Sequence, residues 1–233
     1  MNKITELIKE CDESITFYTE HLNKLRSFID VQEKSVTLLK DINPQVKLEE
    51  IEEISQFNNL NALLSITIID LSVVTKNLFL AKTDWERIFF IKHSYLIIFE
   101  SLKKLRPNKG TPYVEQRLFS KYKSIAPEYT SCLAAIDKFK ERTEFKKIEI
   151  TRNHVAGHID KNFRKYYQTV SNLNGQEAGL IIRDFILIIN KMINVTQSYS
   201  STALQNSLKE EDQIDEKIKI LKDHFDKIKP PKL

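Results

Sequence analysis

Residues 83–100 of the chain read TDWERIFFIKHSYLIIFE. Its apolar side chains cover most of the girth of a helix, which is typical of a helix at the centre of a core. Thr83 and Asp84 at its start are typical of a helix N-cap. We therefore expect a central helix that begins after Thr83 and is surrounded by other helices.

The preceding residues predict two further helices. Apolar residues from Ile4 to Ile29 alternate at three- and four-residue steps, the seam of a coiled coil or a helical hairpin. A similar pattern runs from about Leu48 to Leu78. Pro44 disfavours helical geometry at the residue before it, so the first helix should end near 41–43.

The segments after residue 105 also predict helices, separated by loops at 107–110 and 172–175. These helices are predicted at about 112–125, ending before Pro127; at about 128–170, with a break near 143; at 176–207; and at 209–229.

The composition favours the same class of fold. The 233 residues include only four Gly and six Pro, whereas sheet-rich folds need many turns. We predict an all-α helical bundle with a long N-terminal helix or helical hairpin. The predicted division is an N-terminal helical extension (1–45), the bundle (46–207) and a charged C-terminal helix and tail (208–233).

The net charge, the cysteines and the apolar runs limit the classes of protein with which the sequence is compatible. The net charge of +4 is compatible with an anionic ligand, but the lysines are spread along helices as on solvated faces. Cys11 and Cys132 lie on apolar stripes and predict buried free thiols. The N-terminus has no apolar signal core, and the apolar run from Ala62 to Val74 is interrupted by Asp70 and too short to span a bilayer. We predict a cytoplasmic protein with no membrane partner.

Residues 151–160, TRNHVAGHID, are the candidate for chemistry. Arg152 falls on an apolar stripe with Ile148, Val155, Ile159 and Phe163. A charge in that position needs an anionic partner, because an unpaired buried charge is costly.

Two carboxylates interrupt apolar helices elsewhere. Glu100 and Asp70 are each either the partner of Arg152 or a residue at the edge of the core. Gly157, within the same predicted helix as Arg152, is tolerable where another backbone or a ligand must come close.

The spacing of Arg152 and His158 suggests a site shared between two chains. On an ideal helix they lie about 120° apart and about 9 Å apart along the axis. Two copies related by a twofold axis would bring two arginines and two histidines into one cleft. Arginine binds phosphate with bidentate hydrogen bonds, and histidine exchanges protons near neutral pH. A cleft that contains both residue types is therefore suited to a phosphodiester substrate.

Arg152-Asn153, four intervening residues and His158 resemble the Arg-X4–6-His motif of the HEPN superfamily, whose domains are all-α bundles. The resemblance covers about 46–205. It implies a metal-independent endoribonuclease without a cofactor, active as a homodimer on an RNA substrate. Arg152 is then expected to stabilise the phosphorane, His158 to act as general acid or base, and Asn153 to orient the phosphate or His158.

The resemblance also implies a biological setting. Similar proteins are toxins of toxin–antitoxin pairs or phage-defence effectors, so an antitoxin or a defence-system partner is expected. Many HEPN domains have lost catalysis. The alternative is therefore an inactive helical module for dimerisation or for binding a partner or nucleic acid, and the N-terminal heptads leave a third reading, a coiled-coil adaptor.

Other polar residues keep two interpretations each. His154 and His158 share a helix face and are able to bind a metal together, but no third ligand has a helpful spacing, although Asp160 is close in sequence, so we predict no metal site. His154, Asp160 and Glu100 are instead expected to contact substrate or to support the site, with solvent exposure as the other interpretation of His154. The alternative to catalysis for His158 is a structural hydrogen bond. Lys92 and His93, with Arg87 one to two turns earlier, either line an RNA cleft or form a solvated stripe. The sequence contains no phosphate-binding glycine loop, nucleophile elbow or Cys–His cluster.

Overall fold

The computed structural model describes residues 3–42, 49–106, 122–156 and 161–228. Within these ranges the chain is helical and has no strand, which confirms the predicted all-α fold. The helices are α1 (Lys3–Ile42), α2 (Glu49–Leu80), α3 (Asp84–Leu105), α4 (Ala126–Lys140), α5 (Thr143–Thr151), α6 (Phe163–Ser171) and α7 (Gly175–Ile228), with a π-helical turn at Arg152–Ala156.

α1 and α2 form an antiparallel hairpin. Near one end Lys76 Nζ lies 2.6 Å from Asp12 Oδ1, and towards the other Asn58 donates to Gln32 at 3.2 Å. α1 is helical as far as Ile42. The predicted helix end near 41–43 borders residues outside the described ranges and stays a prediction. The predicted division into 1–45, 46–207 and 208–233 stays a prediction.

α2 contacts three other helices, α1, α3 and α7. Its stretch Glu53–Leu80 is long and apolar enough to cross a membrane by length and composition, and half of its most apolar window is buried inside the protein. The prediction that the apolar run is too short was wrong, because the sparsely charged stretch extends well beyond Ala62 and Val74. A buried core helix meets the same criterion, and the absence of a membrane partner stays a prediction.

α3 is the central helix, as predicted. Ile91, Tyr95 and Ile98 are almost wholly buried, and α3 contacts α2, α5, the π-helical turn and α7. Burial raises the pKa of Tyr95 above its ordinary range. The side chains of Cys11 and Cys132 are buried free thiols, as predicted, and burial raises the pKa of both.

The start of α3 is a complete capping box. Thr83 Oγ1 accepts a hydrogen bond from the Glu86 amide at 3.2 Å, and Glu86 Oε2 accepts from the Thr83 amide at 2.8 Å. The Thr83 and Lys82 amides hold the pKa of the Glu86 carboxyl below its ordinary value.

We expect Thr83→Ala to lower the free energy of unfolding by about 1 kcal/mol, because the first-turn amides of α3 lose a side-chain acceptor. Urea unfolding followed by circular dichroism measures it. The control is Thr37→Ala, the same change at an exposed site inside α1, which should be neutral or slightly stabilising. Equal losses in both variants would contradict a role for the cap.

Two of the predicted helix boundaries between residues 112 and 170 were wrong. α4 begins at Ala126 with Pro127 in its first turn, where a missing amide hydrogen does no harm, whereas Pro127 was expected to follow a helix end. The segment 128–170 is divided: the predicted break near 143 is confirmed, and α6 restarts after Asn162, whose Oδ1 accepts from the Lys165 amide. The predicted 112–125 helix lies largely outside the described residues.

α7 is a single helix of 54 residues, not the two predicted helices 176–207 and 209–229. The switch to a charged composition near 208 does not interrupt it, because no Gly or Pro occurs between residues 180 and 229. α7 runs antiparallel to α2: the rings of Phe57 and Tyr199 lie 4.8 Å apart, and Gly179 faces Phe79.

Candidate active site

α5 is a short helix held firmly against the bundle. Its inner face buries Phe145 and Ile148. Arg142, the residue before its first turn, lies 2.8 Å from Asp184 of α7, and Lys147 pairs with Glu177 of α7. Hydrogen bonds from Arg142 and Arg183 hold the pKa of Asp184 below its ordinary value. The residue that follows α5 is Arg152, so the contacts of Arg142 and Lys147 with α7 fix the base of its side chain.

The guanidinium of Arg152 is paired with Glu100 of α3. Nη2 and Nε donate to Glu100 Oε1 at 2.9 and 3.2 Å, and Nη1 donates to Asn153 Oδ1 at 3.2 Å. A guanidinium has five N–H donors, so among the described residues these bonds leave two for another acceptor. Of the two carboxylates proposed as partners, Glu100 is the one used; Asp70 is exposed on α2.

The Arg152 guanidinium packs on one end of a column of four aromatic rings, which is formed by Phe99, Phe145, Phe139 and Phe185. Its carbon lies 5.1 Å from the centre of the Phe99 ring, within the range of a cation–π contact. Phe99 is stacked with Phe145, which touches Phe139, which in turn touches the wholly buried Phe185. The column connects the charged group to the centre of the core.

Arg152 is accessible as well as supported. One third of its side chain is exposed (33%), and its neighbour Asn153 is exposed. Arg152 is also the first residue of the π-helical turn, so the ideal-helix angles used for the motif do not hold from residue 152 to 156. Single π-helical turns occur frequently at functional sites.

The remaining motif residues divide into two groups. His154 is half-buried within the π-helical turn, and Val155 beside it is buried. His158 and Asp160, like Gly157 between them and the turn, lie outside the described residues, so their predicted roles stay predictions. Within the described ranges no cluster of three or more His, Cys, Asp or Glu side chains is able to hold a metal ion.

The predicted apolar stripe ends before Phe163. Ile148 and Val155 are buried as expected, but Phe163 is 76% exposed, and Ile159 lies outside the described residues. The prediction of this stripe was based on one uninterrupted helix from Ile148 to Phe163. The π-helical turn and the fresh start of α6 after Asn162 change the direction in which later side chains point.

α6 places aromatic and basic side chains beside the π-helical turn, and these residues were not among the predicted site residues. The exposed Phe163 and Tyr167 rings lie 5.9 Å apart, and α6 contacts the π-helical turn. The signal was present: aromatic residues at 163, 166 and 167 share a helix face, with Arg164 and Lys165 between them. The prediction of one helix over 128–170 did not separate this aromatic and basic segment from the residues before it.

Arg87, Lys92 and His93 of α3 make different contacts and do not form one basic stripe. Lys92 Nζ donates to the Tyr166 hydroxyl of α6 at 3.2 Å and lies 5.6 Å from the ring centre. His93 is exposed and packs on Phe89, while Arg87 pairs with Asp84 at 2.8 Å. Of the three, Lys92 is the one with a contact to α6.

No known protein family, curated protein or solved structure matches the chain. The resemblance to HEPN domains therefore rests on the motif and on the all-α fold.

Proposed function

We propose that this chain is a metal-independent endoribonuclease of the HEPN type, with a composite active site at a homodimer interface. The observation that carries the proposal is the state of Arg152: its guanidinium is oriented by Glu100, Phe99 and Asn153, yet one third of the side chain remains accessible. An oriented, accessible arginine is suited to an anion whose charge increases during reaction.

The proposed reaction is an internal transesterification of RNA. The 2′-hydroxyl oxygen forms a bond to the adjacent phosphorus, and the bond from phosphorus to the 5′-oxygen of the next nucleotide breaks. His158 of one copy removes the proton from the 2′-hydroxyl or supplies one to the departing 5′-oxygen, and His158 of the second copy or a water molecule carries out the other proton transfer. The two remaining guanidinium hydrogens of Arg152 bind the phosphorane oxygens, and Asn153 orients the phosphate or His158. The products are a 2′,3′-cyclic phosphate and a 5′-hydroxyl.

The proposal includes a second copy of the chain. A twofold axis beside the π-helical turn doubles the arginine and histidine groups available to one phosphate. The expected setting is the cytoplasm, as a toxin or a phage-defence effector with an antitoxin or another defence-system partner.

The ion pair with Glu100 also favours an alternative. A guanidinium neutralised by a carboxylate and stacked on a ring is a stable structural contact without substrate. Under this alternative the chain is a catalytically inactive helical module that uses the same surface for dimerisation or for binding a partner or nucleic acid.

We expect the purified protein to cleave single-stranded RNA in the presence of EDTA and to leave 2′,3′-cyclic phosphate ends. His158→Ala should lower the rate by about 10²- to 10⁴-fold, because general acid–base catalysis is lost. The control is His21→Ala, the same change at an exposed site on α1, which should cleave normally.

Three results would contradict the proposal: full cleavage by the His158 variant, loss of cleavage on adding EDTA, or a monomer by analytical ultracentrifugation at the assay concentration. A wild-type dimer that never cleaves RNA would favour the inactive module.

A further inference from the structure

We infer that α6 is a base-stacking platform for single-stranded RNA beside Arg152. The platform consists of the rings of Phe163 and Tyr167 with the cations Lys161, Arg164 and Lys165. This inference rests on the proposed function, since it assigns to α6 the binding of the same substrate.

The first observation is how α6 is attached. Val170 at its C-terminal end is buried, and Tyr166 in its middle is held by the hydrogen bond from Lys92. Phe163 and Tyr167 belong to the same helix face but are 76% and 54% exposed. The attachment of α6 leaves these two rings largely in solvent, where they are accessible to a ligand.

The second observation is the charge around those rings. Residues 161–175 contain three cations and no Asp or Glu. By contrast, the exposed Leu187 on α7 lies three residues after a carboxylate, that of Asp184. A polyanion complements three neighbouring cations, and aromatic rings between cations are a combination that binds single-stranded nucleic acids.

The third observation is position. α6 packs against the π-helical turn that carries Arg152. Lys92, which holds α6, precedes Glu100, which holds Arg152, by eight residues on α3, about 12 Å along the helix axis. A strand whose phosphate contacts Arg152 is therefore close enough to reach α6 within a few nucleotides. Stacking on rings tolerates any base, because every base has a π face, so we expect binding with little sequence preference.

The test measures binding without cleavage. The probe is a fluorescein-labelled 2′-O-methyl oligouridine, which lacks the attacking hydroxyl, and its affinity for the full-length protein is followed by fluorescence anisotropy. Phe163→Leu with Tyr167→Leu keeps apolar side chains but removes both rings, and we expect the affinity to fall by about 5- to 150-fold for each base that loses its stacking partner. The matched control is Phe28→Leu, which removes an exposed ring from α1.

The salt dependence separates stacking from charge. Arg164→Gln should reduce the slope of log affinity against log salt concentration by about 0.7, the value for one phosphate contact on a single strand. The ring variant should keep the wild-type slope, because rings release no counterions.

Several results would overturn the inference: wild-type affinity in the ring variant, an equal loss in Phe28→Leu, or no binding of the probe by the wild-type protein. A ring variant that binds RNA normally but no longer dimerises would assign the rings to an interface between copies. A ring variant that binds RNA normally but loses binding to phosphatidylserine vesicles would assign them to a membrane surface. If RNA binding is unchanged while His158→Ala still abolishes cleavage, the platform is wrong and the proposed function stands.

Discussion

Arg152→Ala is expected to lower the rate of RNA cleavage by about 10²- to 10³-fold, the usual loss when one preorganised donor to a developing anion is removed. The effect should fall on the rate constant at saturating RNA more than on affinity, because the charge on the phosphorane is present only in the transition state. Arg152→Lys should restore little activity, since an ammonium cannot bond Glu100 and a phosphate with the same planar geometry.

The control for charge is Arg183→Ala. Arg183 is also an arginine paired with a carboxylate, Asp184, but it lies on α7. Its loss should leave the cleavage rate unchanged. If both arginine variants cleave at the wild-type rate while remaining folded and dimeric by circular dichroism and ultracentrifugation, Arg152 is not part of the reaction.

Glu100 is expected to act through Arg152, and a double-mutant cycle tests this. Glu100→Gln removes the charge that orients the guanidinium and should slow cleavage in the wild-type background. In the Arg152→Ala background the same change should have no further effect, because there is no guanidinium left to position. Additive losses would mean that Glu100 has a separate role.

We expect Phe185→Ala to lower the free energy of unfolding by about 3–5 kcal/mol, because a wholly buried ring leaves a cavity that the bundle does not refill. In a chain of this size each kcal/mol corresponds to a shift of about 2–4 °C in Tm. The matched control is Leu187→Ala, two residues along α7, where the side chain is 55% exposed and the change should stay within about 0.5 kcal/mol. Similar Tm values for the two variants would mean that Phe185 is not at the centre of the core.

Local signals in the sequence predicted the parts of the fold that local interactions decide. Thr83 was identified as an N-cap because Ser, Thr, Asp and Asn before an apolar run satisfy the first amides of a helix. The end of α1 that Pro44 predicts borders residues outside the described ranges and stays a prediction. Composition was a poorer guide: the charged stretch after residue 208 was taken for a new helix, although only a helix-breaking residue would end the existing one.

The candidate site depends on tertiary contacts, so the sequence predicted it only in part. An unexpected charge on an apolar stripe pointed to a partner for Arg152, but the choice between Glu100 and Asp70 required the packing of α3 against the π-helical turn. The exposure of Phe163 was not predicted, because a π-helical turn changes side-chain directions without a strong sequence signal. The role of His158 remains a prediction.

The column of rings from Phe99 to Phe185 has an entropic consequence for Arg152. A free arginine side chain loses up to about 2 kcal/mol of rotamer entropy when it is immobilised. Here the stack on Phe99 and the bonds to Glu100 impose that loss when the chain folds. In the proposed reaction a phosphate would therefore meet a guanidinium that is already oriented, and less of the free energy of their contact would be spent on ordering the side chain.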